Sequence, residues 1–182
     1  MKTLFNLKSM LLVAAIVALP MADAATMSRL DYKAGKTRID TDYKVDKTAC
    51  GALAGNAKDI CIEEAKAKQK VASAELEYGY TGKPADQNKV QVAKAEAIFA
   101  VARERCDDKA GNVKDVCVQE AKAEQTKSLA DAKMGQQIGA ARSDAAVEKL
   151  DADYKVEAQK CDAMAGDAMA ACMNAAKARF GK

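Results

Sequence analysis

The sequence predicts an all-α protein made of three disulfide-stapled helical hairpins that form an elongated helical repeat or bundle. One cysteine pattern occurs three times, with the two cysteines of each pair eleven residues apart. A Gly follows the first cysteine of each pair by five residues, and Asn or Asp comes next. The chain is also rich in Ala, the strongest helix former, and has only two prolines. The cysteines are Cys50, Cys61, Cys106, Cys117, Cys161 and Cys172, and the turn residues are Gly55, Asn56, Gly111, Asn112, Gly166 and Asp167.

The first 24 residues have the pattern of a cleaved secretory signal peptide. Lys2 and Lys8 precede an apolar run over residues 10–19, and Pro20 and a small-x-small cleavage site at residues 22–24 follow it. The apolar run is shorter than the ~20 residues that a membrane-spanning helix needs. We therefore expect an exported, periplasmic chain whose helical repeat region covers residues 25–182, with no membrane span in the mature chain.

Export determines how the cysteines are interpreted. In an oxidising compartment, an even number of cysteines at a repeated spacing indicates disulfides. Residues eleven apart in one straight helix are separated by ~16 Å, whereas a disulfide needs Cα atoms within ~7 Å. A helical hairpin brings the two cysteines together, so the sequence predicts the bonds Cys50–Cys61, Cys106–Cys117 and Cys161–Cys172.

The residues between the cysteines predict a helix, a turn and a second helix. Gly favours the end of a helix because it adopts the left-handed conformation at little cost, and Asn or Asp favours the N-cap of the next helix. The first hairpin is expected to have helices over about 27–54 and 57–78. A break at residues 79–84 should precede a third helix over about 85–110, and a fourth should begin near Val113.

The stretch from residue 124 to 153 leaves two alternatives open. It contains no Pro, so it can form one long helix, but Gly135 and Gly139 are points where it can bend. The last hairpin is expected to turn at Gly166 and Asp167 and to end near Phe180. Matching residues at fixed offsets of 56 and then 55 residues indicate an internal triplication, with repeats over about 40–78, 96–134 and 151–182.

The composition argues against an enzyme and against binding of nucleic acid. The chain has no His, so the common Ser-His and Cys-His nucleophile arrangements cannot form, and no phosphate or dinucleotide motif is present. Without residues 1–24 the chain keeps 27 basic and 25 acidic residues, which are interspersed rather than gathered into a one-signed patch. We expect no cofactor, and cysteines eleven residues apart in a hairpin favour a structural over a redox role.

Metal binding is the sharpest chemical alternative. The last hairpin holds Met164, Met169 and Met173 near Cys161 and Cys172. Thioether and thiolate ligands suit Cu(I), so this hairpin could form a soft-metal site. The competing interpretation, which we favour, is that methionines fill gaps in helix packing.

The repeated pattern Tyr-Lys-x5-Cys-x4-Gly-Asn/Asp-x4-Cys-x3-Ala-Lys-Ala resembles a group of small exported proteobacterial proteins that are often labelled TolA-like. The resemblance covers about residues 32–182 and departs from the pattern at Phe99 and Ala100. It implies a periplasmic, envelope-associated setting. The expected function is a structural or protein-interaction role with envelope protein partners, and the alternative is a periplasmic copper-binding protein.

Overall fold

The computed structural model describes residues 27–182, which form five α-helices and contain no strand. The predicted signal peptide lies outside the described residues. A single 3₁₀ turn, Cys50–Ala52, follows the first helix. The helices are α1 (Arg29–Ala49), α2 (Gly55–Thr81), α3 (Pro84–Arg105), α4 (Gly111–Cys161) and α5 (Gly166–Phe180). The predicted all-α class is confirmed.

The helices form an open layer rather than a closed bundle. Within residues 27–182, α1 contacts α2, α2 contacts α3, α3 contacts α4 and α4 contacts α5, and no other pair of helices is in contact. Consecutive helices run antiparallel because each connection is a tight turn. The layer therefore leaves two broad faces of each helix uncovered.

The core is thin and consists mostly of Ala, as the composition predicts. The most deeply buried side chains are Cys50, Cys106 and Cys161, each at most 1% exposed. α1 contributes no fully buried residue. The central helix α3 contributes most, because it packs between α2 and α4 and buries residues on both sides. The disulfides therefore supply part of the stabilisation that a larger protein obtains from a larger apolar core.

α4 resolves the alternatives left open for residues 124–153. It is one continuous helix of 51 residues, about 76 Å long at ~1.5 Å per residue, and it passes through Gly135 and Gly139 without a break. Its first part packs against α3 and its last part against α5. Between them, every residue from 133 to 150 is exposed.

The first helix of each hairpin ends earlier than the sequence predicts. We expected α1 to reach residue 54 and α3 to reach residue 110, but they end at Ala49 and Arg105. At the first cysteine of each pair the backbone changes to tighter turns whose hydrogen bonds join residues three apart. An example is the bond from the Lys109 N–H to the Cys106 carbonyl, at 3.0 Å. An extended Ala and a left-handed Gly then reverse the chain, so the turn includes residues that were predicted to belong to the first helix.

The second helices begin earlier than predicted and end close to the expected positions. α2 begins at Gly55 and α4 at Gly111, two residues before the expected starts at residues 57 and 113. α2 continues to Thr81, three residues beyond the predicted end at residue 78, and α5 ends at Phe180 as expected. The extra residues in α2 include Gly79, which a helix tolerates.

Candidate functional site

Three cysteine pairs form the three disulfides that the spacing predicts. The bonds join Cys50 to Cys61, Cys106 to Cys117, and Cys161 to Cys172. The Cα atoms of the bonded pairs are 5.6, 5.7 and 5.6 Å apart, well inside the range that a disulfide allows. The three hairpins thus share one covalent geometry, and no cysteine within residues 27–182 is free.

Each hairpin turns at a glycine in the left-handed region. The φ angles are +58° at Gly55, +55° at Gly111 and +59° at Gly166, where a residue with a Cβ would be strained. The predicted left-handed conformation is confirmed, but its position differs from the expectation. Each glycine is the first residue of the second helix rather than the residue that ends the first.

The N-cap role expected for Asn56, Asn112 and Asp167 is wrong. These residues lie inside the first turn of α2, α4 and α5, and none of the three helices has a side-chain cap. The cap positions hold alanines in an extended conformation, with φ between −131° and −133°. The Asn56 side-chain nitrogen is buried and has no hydrogen-bond partner. The glycine reverses the chain one residue too early for the next side chain to cap the helix.

The last hairpin retains only thioethers as soft ligands. Cys161 and Cys172 are bonded to each other, so neither can offer a thiolate. Met164 in the turn is 47% exposed, Met169 on α5 is 41% exposed, and Met173 is half-buried. Among the described residues, no group of three or more His, Cys, Asp or Glu side chains is placed to hold a metal ion.

A buried carboxylate organises the corner between α2 and α3. Asp86 is 5% exposed and accepts hydrogen bonds from the Thr81 hydroxyl at 2.6 Å and the Lys89 ammonium at 2.8 Å. The bond from Lys89, followed by that from Thr81, holds the pKa of Asp86 below its ordinary value. Gly82 is left-handed and Pro84 opens α3, which is the usual order at a sharp helix-to-helix corner.

An aromatic cluster joins α1 to the end of α2. The rings of Tyr32 and Tyr80 stack with their centroids 4.4 Å apart, and the Lys36 ammonium lies 4.7 Å from the Tyr32 centroid. The Tyr32 hydroxyl donates a hydrogen bond to Glu77, and this bond raises the pKa of Tyr32 above its ordinary value. The cluster packs α1 against α2.

Ion pairs cross the layer between neighbouring helices. Three join α2 to α3: Lys70 to Glu96 at 2.5 Å, Lys94 to Glu75 at 2.8 Å, and Arg105 to Glu64 at 2.6 Å. Lys68 of α2 reaches Asp46 of α1 at 2.8 Å, and this hydrogen bond raises the pKa of Lys68. Exposed pairs of this kind contribute little stability each, so they mainly fix the register of the helices.

One face of the layer carries two adjoining open grooves. The groove between α2 and α3 has a volume of about 570 Å³ and includes Val71 and Val101, and the groove between α3 and α4 has about 930 Å³. Both grooves are lined by Lys94 and Ile98 of α3, so they lie on the same side of the layer. Ile98 is 59% exposed between them. Both grooves are open to solvent along their length and partly apolar.

The sequence predicted the disulfides and a break within residues 79–84, where α2 ends and α3 begins, but not the buried role of Asp86 or the grooves. The signal for the corner was present, since a Pro at the first helical position followed by an acid in the first turn is a helix-start pattern. The grooves carry no local signal. They exist because α3 contacts α2 and α4 but no other helix of the described part of the chain. That arrangement depends on the packing of all five helices and not on any local sequence pattern.

Comparison with known protein families, with curated proteins and with solved structures returned no match to this chain. Within residues 27–182, no helix is both long enough and apolar enough to cross a membrane.

Proposed function

We propose that this protein is a non-enzymatic, exported helical protein of the periplasm that acts through protein–protein contacts in the cell envelope. The observation that carries the proposal is the open layer of disulfide-closed hairpins, whose helices keep broad exposed faces with apolar residues. Three disulfides are typical of an oxidising compartment. The resemblance to TolA-like exported proteins supports the envelope setting.

The titratable groups support a non-enzymatic role. Apart from the buried Asp86, the shifted pKa values belong to exposed or half-buried groups held by ordinary hydrogen bonds and ion pairs, such as Asp107 with Lys114 and Glu157 with Lys160. Catalytic sites instead combine burial and like charges in a cleft to shift the pKa of an acid or base. The sequence also has no His.

Site-specific crosslinking in living cells tests the interaction role. A photo-crosslinking amino acid at Ile98, on the grooved face, should give a reproducible adduct with an envelope protein. The matched control is Arg103, which is also exposed on α3 but lies ~140° around the helix from Ile98. Equal labelling from both positions, or no adduct from Ile98, would contradict the proposal.

The location is tested separately. An exported periplasmic chain should be released by osmotic shock, and its N-terminus should lie near Ala25. Retention in the cytoplasm with an intact N-terminus would contradict this part of the proposal.

Copper binding by the last hairpin remains a second candidate because Met164 and Met169 are exposed there. The site would use thioethers alone, since Cys161 and Cys172 are bonded to each other. Titration of the oxidised protein with Cu(I) tests it. Binding that is lost when Met164, Met169 and Met173 are replaced by Leu would support this function, and absence of binding would rule it out.

A further inference from the structure

α4 carries an apolar stripe that no other helix within residues 27–182 covers. Val116, Met134, Ile138 and Val156 are between 45% and 55% exposed. At ~100° per residue, their positions fall within about 40° of one direction around the helix. The stripe runs for about 60 Å along α4 and continues through the segment 133–150, in which every residue is exposed.

The stripe lies on the side of α4 opposite to its neighbours. The residues that α4 buries, Ala121, Ala132 and Cys161, point about 140–180° away from Met134. α3 and α5, the helices that contact α4, therefore leave the stripe free. A helix packed on the stripe would extend the layer in its own plane.

The repeat spacing indicates which helix fits the stripe. Positions 56 residues earlier match the first part of α4 with α2, so Ala67 and Tyr78 correspond to Ala123 and Met134. Positions 55 residues earlier match the last part of α4 with α3, so Val90 corresponds to Ala145 and Val101 to Val156. α2 and α3 pack antiparallel against each other, and these residues are buried or half-buried there.

The charges follow the same correspondence. Lys94 with Glu75 and Arg105 with Glu64 are ion pairs between α2 and α3. Their counterparts on α4 are Lys149 with Asp131 and Lys160 with Glu120, which keep the sign at each of these four positions. The third pair, Lys70 with Glu96, corresponds to Thr126 with Asp151, so it is not kept. Residues 131 and 149 are ~27 Å apart along one straight helix, so they cannot pair within α4.

We propose that a second copy of this chain packs on the stripe, with its α4 antiparallel to the first and a two-fold axis near residue 140. This arrangement places Met134 opposite Ala145 of the second copy and Asp131 opposite Lys149 of the second copy, and each contact occurs twice. Charged residues interrupt the stripe at Glu120 and Lys127, and Glu148 lies at its edge. In the antiparallel pair Glu120 lies opposite Lys160 of the second copy, and Lys127 lies about one helical turn from Glu148 of the second copy.

The dimer would form between two chains the antiparallel helix contact that α2 and α3 form within one chain. α2 ends at Gly82 and Pro84 starts α3, so the chain folds back there. The matching stretch of α4 has no Pro, so the helix continues straight. The two halves of α4 that correspond to α2 and α3 therefore cannot pack against each other within one chain. The inference depends on the fold and the repeat spacing, not on the proposed envelope function.

Mass measurement of the purified, oxidised protein tests the dimer. Sedimentation equilibrium should give twice the chain mass. Ala145→Glu should raise the dimer dissociation constant at least about a hundredfold, because each dimer would bury two unpaired carboxylates. The control Ala146→Glu, on the next exposed residue but ~100° away, should change the constant little. A monomeric wild type, or equal effects of the two variants, would overturn the proposal.

A charge exchange tests the register of the pair. Asp131→Lys should weaken the dimer because it faces Lys149 of the second copy, and adding Lys149→Asp should restore the affinity. Restoration would not occur if the two residues faced a different partner. Failure of the double variant to recover would overturn the proposed register.

Crosslinking separates the dimer from a folded-back monomer. In the double variant Met134→Cys, Ala145→Cys, the two thiols of one straight α4 are ~16 Å apart and cannot bond. A disulfide-linked dimer, with the three native disulfides intact by peptide mapping, is the expected result. An intramolecular bond would mean that α4 folds back on itself, and no bond would mean that the stripe is uncovered or binds another protein. Both outcomes overturn the proposal.

Discussion

Single glycines determine the direction of this chain at its three hairpin turns. A left-handed residue is strained when it carries a Cβ, and no heavy atom outside the local backbone approaches a Cβ built on Gly111, so backbone strain alone decides the effect of substitution there. Gly139 has an equally open environment but lies in the middle of a regular helix. The same substitution should therefore have opposite effects at the two positions.

Gly111→Ala should lower the free energy of unfolding by about 1–2 kcal/mol, because Ala pays the left-handed cost at φ +55°. Gly139→Ala should raise it by about 0.5–1 kcal/mol, because Ala is the better helix former. Urea unfolding followed by circular dichroism measures both. Destabilisation by Gly139→Ala would show that the middle of α4 is not a regular helix in solution.

Asp86 should give the protein an acid-sensitive corner. Its folded-state pKa lies below the ordinary value of 3.8, so its stabilising bonds are present above that pH and are lost as the pH falls through the folded-state pKa. Asp86→Asn should be less stable than the wild type at pH 7, and the difference should shrink below about pH 4. Thermal unfolding between pH 2 and pH 7 measures this.

The control for Asp86 is Asp153→Asn, which changes an exposed carboxylate that forms no ion pair within residues 27–182. It should shift the unfolding temperature little at any pH in the range. If the difference for Asp86→Asn stayed constant from pH 7 to pH 2, the hydrogen bonds from Lys89 and Thr81 would not be the source of its effect.

The helices of this protein are stabilised unequally. Among the helices of residues 27–182, α3 packs between two neighbours, whereas α5 contacts α4 alone. α5 has 15 residues, close to the shortest length at which an isolated helix is marginally stable. Its disulfide to α4 should therefore matter locally, whereas the disulfide between α3 and α4 supports helices that have other contacts.

The variant Cys161→Ala, Cys172→Ala should release α5. A disulfide that closes so short a loop contributes up to ~3 kcal/mol, so amide exchange over residues 166–180 should accelerate about a hundredfold. The matched variant Cys106→Ala, Cys117→Ala should lower global stability while leaving α3 protected by α2. Unchanged exchange in α5 would show that its contacts with α4 suffice without the bond.

The helices and disulfides could be predicted from the sequence, and the corner geometry could not. Cysteine spacing with a central glycine specifies a hairpin because a straight helix excludes the bond. The exact turn depends on where the extended Ala falls, and the residues around Ala54 and Ala110 carry no local signal that places it. Residues 124–153 form a straight helix because they lack the combination of Gly and Pro that ends α2 and begins α3 at Gly82 and Pro84.

At the scale of the molecule, the open layer exists because each turn joins only consecutive helices and Ala side chains are too small to draw in a second layer. Its hairpins would continue as one regular series if α4 folded back as α2 and α3 do. α4 instead continues straight, so the last hairpin stands apart from the first two. The presence or absence of one corner in α4 thus decides whether the layer is compact or extended.

Transferring that corner should convert the extended chain into the compact one. Ile138→Gly with Ala140→Pro places Gly and Pro at the spacing found at Gly82 and Pro84, and Pro costs about 3 kcal/mol inside a helix. Spin labels at Gln119 and Lys155, both exposed on α4, should be ~54 Å apart in the wild type and within about 20 Å in the variant. Dilution with unlabelled protein removes pairs between copies. Ile138→Ala with Ala140→Ser serves as the control and should keep the long distance. A long distance in the Gly-Pro variant would show that the Asp86 bonds, and not the break alone, direct the chain back.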